Sequence, residues 1–467
     1  MPKSWDVWDT LIGRKCGTPM RLWEKMSVDM DNFPTARNNA AIQLYRTGRE
    51  HTLADIYDVL RRPDLLEAEW EAEKSNVFLI PGTADQIQDG DVLVSDSYLT
   101  EDQTRELLRI AGFDKDVHLI VTCYGKRLGT VWNQARQYGE ITSHYGDNWE
   151  TDVCSPQRAM IPGLHFRESG LSAIEQFYSH WGSEDFAWFI RRWRLANPYG
   201  STNQGFLWHW QAKANFPMLH AACAGLAGIV SSELREPVFL ARDACLLGRL
   251  WSHLYKILPG RILWTSRELF RRPSASFIEY FRKFTKDDDI LVDLRGTGRS
   301  YAAFCENHGA PSQPIVYVLL DDGYNIEIES PRRLRLTSAI RCPNDFATIE
   351  MFNLALHGRV LDVSADGTPT FDDATEDYDH TLVAVAHRMM DEALPEWKLF
   401  KLADWRAVLE FSIQLAASHA KRLGELFPMH GMLEDNDGIR VNVNDPSSLG
   451  KLALDIASRF RKDSGKP

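Results

Sequence analysis

At 467 residues the chain is too long for one hydrophobic core, so two domains with a helical extension are expected. Its composition, 44% hydrophobic and 25% charged, is that of an ordinary soluble globular protein. A net charge of −12 excludes a general nucleic-acid binder, because affinity for a phosphate backbone comes from clustered Lys and Arg.

The first element in the chain is a short strand ending in Asp6 within Trp5-Asp6-Val7-Trp8-Asp9-Thr10-Leu11. It puts a carboxylate at the carboxyl end of a strand, the edge where ligands collect in open α/β sheets. Residues 15 to 80 follow with helical spacing (Leu22-Trp23, Met26, Met30, then Leu53, Ile56-Tyr57, Val59-Leu60, Leu65-Leu66) and read as a helical insertion. Next come Asp91-Val92-Leu93-Val94-Ser95-Asp96, a strand ending in a hydroxyl, and Val117 to Thr122, a strand followed by Gly125-Lys126. About 140 residues after the first cluster stands a second acidic one, Gly146-Asp147-Asn148-Trp149-Glu150-Thr151-Asp152, able to fold against the first around one divalent cation.

This set, in this order, resembles the haloacid dehalogenase superfamily of aspartate-nucleophile phosphatases over roughly residues 1 to 170. The resemblance implies that Asp6 attacks phosphorus, that Ser95 and Lys126 hold the transferring oxygens, and that Mg²⁺ is bound by Asp6, the backbone carbonyl of Trp8, Asp147 and Asp152. It also implies that the insertion is a cap that closes over substrate and excludes water. One departure stands out. Two residues after the nucleophile that the resemblance implies, where the phosphatases usually carry an acid-base Asp, this chain has Trp8; a branch of the superfamily that reads DVFDTL and accompanies polysaccharide synthesis likewise lacks an Asp there. Asp9 follows immediately.

The second half begins near residue 175 after Gly163-Leu164-His165-Phe166. Helical segments run to about Ser232. Strands are then expected at Val238–Ala241 before Arg242-Asp243, at Ile262–Trp264 before Thr265-Ser266-Arg267, at Ile290–Asp293 before a glycine loop, and at Ile315–Leu320. Alternating strands and helices predict a second parallel sheet. The loop Val292-Asp293-Leu294-Arg295-Gly296-Thr297-Gly298-Arg299-Ser300 delivers one acid, then a turn with exposed N–H groups, hydroxyls and a helix start able to bind a phosphate monoester. It resembles the phosphoribosyl-diphosphate loop of the phosphoribosyltransferases, with Val292 where the first of two ribose-binding acids would stand. By that resemblance Asp293, Arg295, Gly296, Thr297, Gly298, Arg299 and Ser300 hold the donor, while Arg242, Asp243 and Arg267 face its diphosphate. An ordinary βα turn with salt-bridged arginines is the plainer alternative.

From Thr348 onward helices are expected, including Leu382–Leu394 and Trp405–Leu426, with Asp366–Asp379 a loop or small hairpin. Glu350, His357 and His430 are the polar residues of note there. The seven cysteines lack CxxC or metal spacing and suit free thiols in a reducing compartment. Met1-Pro2-Lys3-Ser4 leads into the first strand without a signal-peptide pattern, and no apolar run reaches about 18 residues, Phe216–Val230 reading as a buried helix. The expected architecture is therefore α/β: a dehalogenase-like domain over residues 1–175 with its cap at about 15–80, and a phosphoribosyltransferase-like domain over 176–467 with helical additions, both Rossmann-like parallel sheets.

Together the two resemblances imply a cytoplasmic, Mg²⁺-dependent bifunctional enzyme. One domain transfers 5-phosphoribosyl from phosphoribosyl diphosphate to a lipid-linked or oligosaccharide glycan, and the other removes the 5-phosphate, leaving ribofuranose in a surface polysaccharide. Membrane contact would be peripheral, through the lipid-linked substrate. Two alternatives stay open: a phosphatase with an accessory glycan- or partner-binding domain, and a scaffold with two degenerate sites.

Overall fold

Short apolar strands followed by helices recur in both halves of the chain, and in the computed structural model they assemble into two five-stranded parallel sheets. The structure describes residues 1–233, 235–296, 298–310, 312–320, 333–336, 347–372 and 379–427. Chain contacts divide it into two units, Met1–Ser172 with Arg191–Gly200, and Ala173–Ile190 with Ser201–Pro467.

In the first unit the strands are β1 (Ser4–Asp6), β2 (Ile12–Arg14), β3 (Val77–Leu79), β4 (Val92–Asp96), β5 (His118–Thr122), β6 (His144–Gly146) and β7 (Gly163–His165). The parallel sheet has the order β5-β4-β1-β6-β7. Strand β1 is central and wholly buried, which is why its three residues need no alternation. From β1 the chain runs outward through β4 to β5, then returns to the other side of β1 as β6. The crevice between the carboxyl ends of β1 and β6 is thus the topological switch point, where such sheets bind ligands.

The insertion between β1 and β4 carries helices Pro19–Lys25, Phe33–Tyr45, Leu53–Leu60 and Leu66–Asn76. Its base is a two-stranded antiparallel ribbon, β2 with β3, in the register Ile12↔Leu79 and Arg14↔Val77. Residues 77 to 79, expected to be helical, are therefore a strand; a three-residue apolar run is too short to display either period. Two buried ion pairs tie the insertion together. Arg37 is bidentate to Glu69 at 2.7 and 2.8 Å, with Tyr57 also donating to Glu69, and Arg14 is bidentate to Glu73. Arg37 and Glu69 are both fully buried, so each charge depends on the other.

The second unit contains β8 (Glu236–Leu240), β9 (Arg261–Leu263), β10 (Asp289–Gly296), β11 (Ile315–Leu320) and β12 (Arg333–Arg335) in the parallel order β12-β11-β10-β8-β9. A small antiparallel pair joins β13 (Val360–Val363) to β14 (Pro369–Phe371), so the hairpin begins before the stretch Asp366–Asp379 read as a loop or hairpin and shares only its second strand with it; residues 373–378 lie outside the described residues. Its switch point lies between β8 and β10. The helix Phe216–Glu233 packs against Trp405–Ala417 so closely that a Cβ on Gly225 would come within 2.5 Å of the Trp405 ring. The continuous helical stretch Asn203–Ser232 has the length and hydropathy of a membrane span, but its most apolar window is 72% buried within the molecule, the environment of a core helix. His220 within it meets the carbonyl of Phe400 and the indole of Trp397.

Candidate phosphoryl site and the second switch point

At the first switch point three carboxylates separated by up to about 145 positions converge. Asp6, Asp147 and Asp152 each offer an oxygen, and all three oxygens lie within 4.8 Å of one another. Asp6 ends β1 and accepts a hydrogen bond from Thr10 Oγ1 at 3.1 Å. Asp147 follows β6; its carbonyl meets His165 Nε2 at 2.8 Å and its carboxylate meets Ser169 Oγ at 3.3 Å. Asp152 accepts from the Asn148 amide at 2.9 Å and contacts His144 Nε2 at 3.2 Å, while His144 Nδ1 contacts Ser4 Oγ. Gly146 makes this approach possible, because a Cβ there would stand 2.5 Å from Asp152 Cγ.

Lys126, 2% exposed, donates from Nζ to Asp6 Oδ1 and, at 2.7 Å, to Asp152 Oδ1. Burial alone would discharge it, but the facing carboxylates of Asp6, Asp152 and Asp96 raise its pKa, so it stays an ammonium. Burial would also raise Asp152, and here the Lys126 charge and the His144 contact outweigh it and hold the carboxyl below the usual range. Asp6 and Asp147 go the other way. Burial, the largest cause for both, and neighbouring carboxylates push Asp6 well up and Asp147 up to about 6. One ammonium therefore leaves the three carboxylates undercompensated. An all-oxygen set with surplus negative charge suits a hard divalent cation, and these three residues could hold one.

The cluster lies in a cleft of about 460 Å³, the size of a small-molecule site. The insertion supplies one wall through Ala41, Ile42, Tyr45 and His51. Glu50 fixes that wall to the end of β5, accepting from Thr122 Oγ1 at 2.6 Å and from the Cys123 amide at 2.7 Å. Trp8 lines the cleft with its indole 3.7 Å from the Arg14 guanidinium, and its Nε1 is buried without a hydrogen-bond partner among the described residues. Asp9, in a left-handed conformation (φ 57°), is tied to Arg191 at 2.7 Å. Ser95 is fully buried and its hydroxyl has no hydrogen-bond partner among the described residues; from this strand end Asp96, Ser97 and Tyr98 line the cleft instead. Asp96 accepts from the Lys126 amide at 3.2 Å, and burial raises its carboxyl.

The second switch point gathers a mixed cluster. Asp293 lies in β10 and accepts from the Leu294 amide at 2.8 Å; burial first, then the charges of Asp243 and Glu350, push its carboxyl well up, against the opposing charge of Arg267. Glu350, on the helix Ala347–Met351, is 3.6 Å from Arg295, and burial with the Asp243 charge raises it to about 7 against Arg295, Arg242 and Arg267. Arg242 bonds its neighbour Asp243 at 3.2 Å, just after β8. Arg267 is exposed at the start of the helix Arg267–Arg271, capped by Ser266. Gly296 ends β10, and Gly298, with φ 75°, caps the helix Arg299–His308 that Arg299 and Ser300 open. Thr297 and His430 lie outside the described residues. Val292 is buried in the sheet, paired with Phe239 and Val316.

Sequence reasoning assigns no role to Asp96, Glu50 or His51, names Glu350 without a partner, and reads Arg191 in the run Arg191-Arg192-Trp193-Arg194 as part of a solvated face, whereas Arg191 and Arg194 are buried. Arg191 is the hardest to foresee: it stands 182 positions from Asp9 in a helix whose spacing announces only amphipathicity. No protein-family model matches the chain, and no curated protein matches it significantly.

Proposed function

We propose that the first unit is a Mg²⁺-dependent phosphomonoesterase using Asp6 as nucleophile, related to the haloacid dehalogenase superfamily. The observation that carries this reading is the buried contact of Lys126 with both Asp6 and Asp152, beside Asp147 at a sheet switch point. Bound between Asp6, Asp147 and Asp152, Mg²⁺ would supply positive charge to the phosphoryl oxygens. Asp6 Oδ would form a bond to phosphorus as the bond from phosphorus to the ester oxygen breaks, and the leaving oxygen would take the electron pair. Lys126 favours the ionised form of Asp6 that attack requires and stands ready to hold a phosphoryl oxygen. Water would then cleave the aspartyl-phosphate. Trp8 offers no proton to the leaving oxygen, which makes slow turnover part of the reading.

For the second unit we propose a phosphoribosyl-diphosphate site at the second switch point, with Arg242 and Arg267 toward the diphosphate and Asp293 toward the ribose. The bond from C1 to the diphosphate would break, the diphosphate leaving with the electron pair, as a glycan hydroxyl oxygen bonds to C1 and loses its proton to solvent, and the first unit would remove the 5-phosphate. Support comes from three arginines, Arg242, Arg267 and Arg295, whose charges act on Asp293 and Glu350 together with that of Asp243. A phosphatase with an accessory domain is the second reading, favoured by buried Val292 at the first acid's position.

Phosphate release from ribose 5-phosphate with and without Mg²⁺ tests the first activity. Calorimetric titration with phosphoribosyl diphosphate and Mg²⁺, in wild type and in Asp293→Asn with Arg267→Ala, tests the second. Binding lost in the variant supports transfer; no binding to wild type leaves the accessory-domain reading.

A further inference from the structure

Ser4 and Asp6 are the first and last residues of β1, two apart and therefore on the same face of the sheet. A chain of buried contacts leaves the strand at one and returns to it at the other. Ser4 Oγ lies 2.9 Å from Nδ1 of His144, its register partner on β6, and His144 Nε2 lies 3.2 Å from Asp152 Oδ1. Lys126 Nζ donates to that same oxygen at 2.7 Å and to Asp6 Oδ1. These contacts fix where the imidazole hydrogen sits. Burial favours the neutral ring, and Nε2 faces an ionised carboxylate that has no hydrogen to give, so Nε2 carries the hydrogen and Nδ1 the lone pair. Ser4 must then donate to Nδ1; its other acceptor, the Ser143 carbonyl, is farther off at 3.3 Å. The ring is also held from the side. The Trp132 indole packs edge-on against it at 4.8 Å and 65°, and Trp132 Nε1 donates at 2.9 Å to Ser155 Oγ, which donates in turn to the Lys126 carbonyl. One indole thus braces the histidine and, through Ser155, the backbone of the lysine.

Resting on the phosphomonoesterase reading, we infer that Ser4 and His144 are a positioning pair for the phosphoryl site: Ser4 fixes the imidazole tautomer, and Nε2–H holds the Asp152 oxygen on which the Lys126 ammonium is set. Neither residue touches substrate. Asp152 Oδ1 receives two donors, from His144 and Lys126, while Oδ2 takes the Asn148 amide, so the carboxylate is held at both oxygens and keeps its aim. A group placed to meet charge on a transferring phosphoryl oxygen loses much of its effect when displaced by about 1 Å, and loss of the imidazole donor frees the Asp152 and Lys126 pair to shift.

Two measurements test the pair. In the full-length, cation-free protein labelled with ¹⁵N-histidine, two-bond ¹H–¹⁵N spectra near neutral pH should show a single tautomer for His144, with hydrogen on Nε2 and a lone pair on Nδ1, its signal assigned by its loss in His144→Gln. Steady-state kinetics with ribose 5-phosphate and saturating Mg²⁺ then compare wild type, His144→Phe and His144→Gln. His144→Phe keeps a ring against Trp132 but has no N–H, and should lower kcat about tenfold with KM within about twofold. His144→Gln, whose amide N–H can stand in for Nε2–H, should recover most of the loss.

Hydrogen on Nδ1, or a mixture of tautomers, overturns the pair, and this result decides alone if His144→Phe does not fold. Wild-type kcat in His144→Phe overturns it as well. So does an equal loss in the Phe and Gln variants at equal melting temperatures, which would leave His144 a packing residue only. Absence of turnover in wild type overturns the phosphomonoesterase reading itself and the pair's role with it, an outcome distinct from the others because it appears without any substitution.

Discussion

The guanidinium of Arg14 lies 3.7 Å from the indole of Trp8, and the same guanidinium is clamped bidentate by buried Glu73 from the helix Leu66–Asn76. The position two after Asp6, the proposed nucleophile, is thus occupied by a side chain that is packed and electrostatically held but cannot transfer a proton. With Asp9 engaged by Arg191, no acid adjacent in sequence is free to replace it. Trp8→Asp is therefore expected to speed phosphate release from ribose 5-phosphate by about ten- to a hundredfold, the lower part of what general acid-base help contributes, since Arg14 would compete for the new carboxylate. Unchanged release by Trp8→Asp would mean that the leaving oxygen is protonated from elsewhere.

Gly146 has a steric role that a methyl group tests. With a Cβ 2.5 Å from Asp152 Cγ, Gly146→Ala must displace the carboxylate that orients Lys126. Calorimetry with Mg²⁺ should find affinity reduced at least tenfold, about 1.4 kcal/mol, whereas Gly82→Ala, where a Cβ meets nothing within 4 Å, should leave it intact.

The pH dependence of the cation-free protein follows from Asp147. Its carboxyl is raised by burial and by Asp9 and Asp152 from 3.8 to about 6, so between those values the folded state holds a proton that the unfolded state has lost. Stability in chelator should accordingly fall as pH rises from about 4 through about 6. Mg²⁺ should restore it most at pH 7, by about 2.7 kcal/mol at a hundredfold excess over the dissociation constant, and little at pH 4. Thermal melts in chelator and in Mg²⁺ check this, and Asp147→Asn should flatten both responses.

Inside the insertion, Arg37→Ala leaves Glu69 charged in a fully buried setting and should cost about 3–5 kcal/mol. Replacing both partners with Met and Leu should recover most of that loss, as judged by denaturant unfolding. Equal destabilisation by the single and double variants would show that packing, and not the orphaned charge, sets the cost.

The elements of chemistry nearest to strand ends were the most legible in the sequence. Asp6 and the stretch from Asp147 to Asp152 each follow a short apolar run, and a parallel sheet brings such ends to one edge whatever their separation. The helical insertion was legible from its spacing, but its neck was not, because β2 and β3 have three residues each and pair across more than sixty positions. Asp9 with Arg191, and Glu50 with Thr122, depend on how distant segments meet after folding and leave no periodic trace. Ser95 illustrates the limit of strand-end reasoning. Adjacent strand residues point to opposite faces, so placing the hydroxyl required the register Asp6↔Val94, which sequence does not state.

The most direct test of the account is to react the protein with ribose 5-phosphate and Mg²⁺, quench it in acid and search its peptides by mass spectrometry. A phosphoryl adduct on Asp6, absent from Asp6→Asn and from samples in chelator, is the predicted result. Phosphate release that persists in Asp6→Asn, with no adduct on Asp6 in wild type, would contradict it.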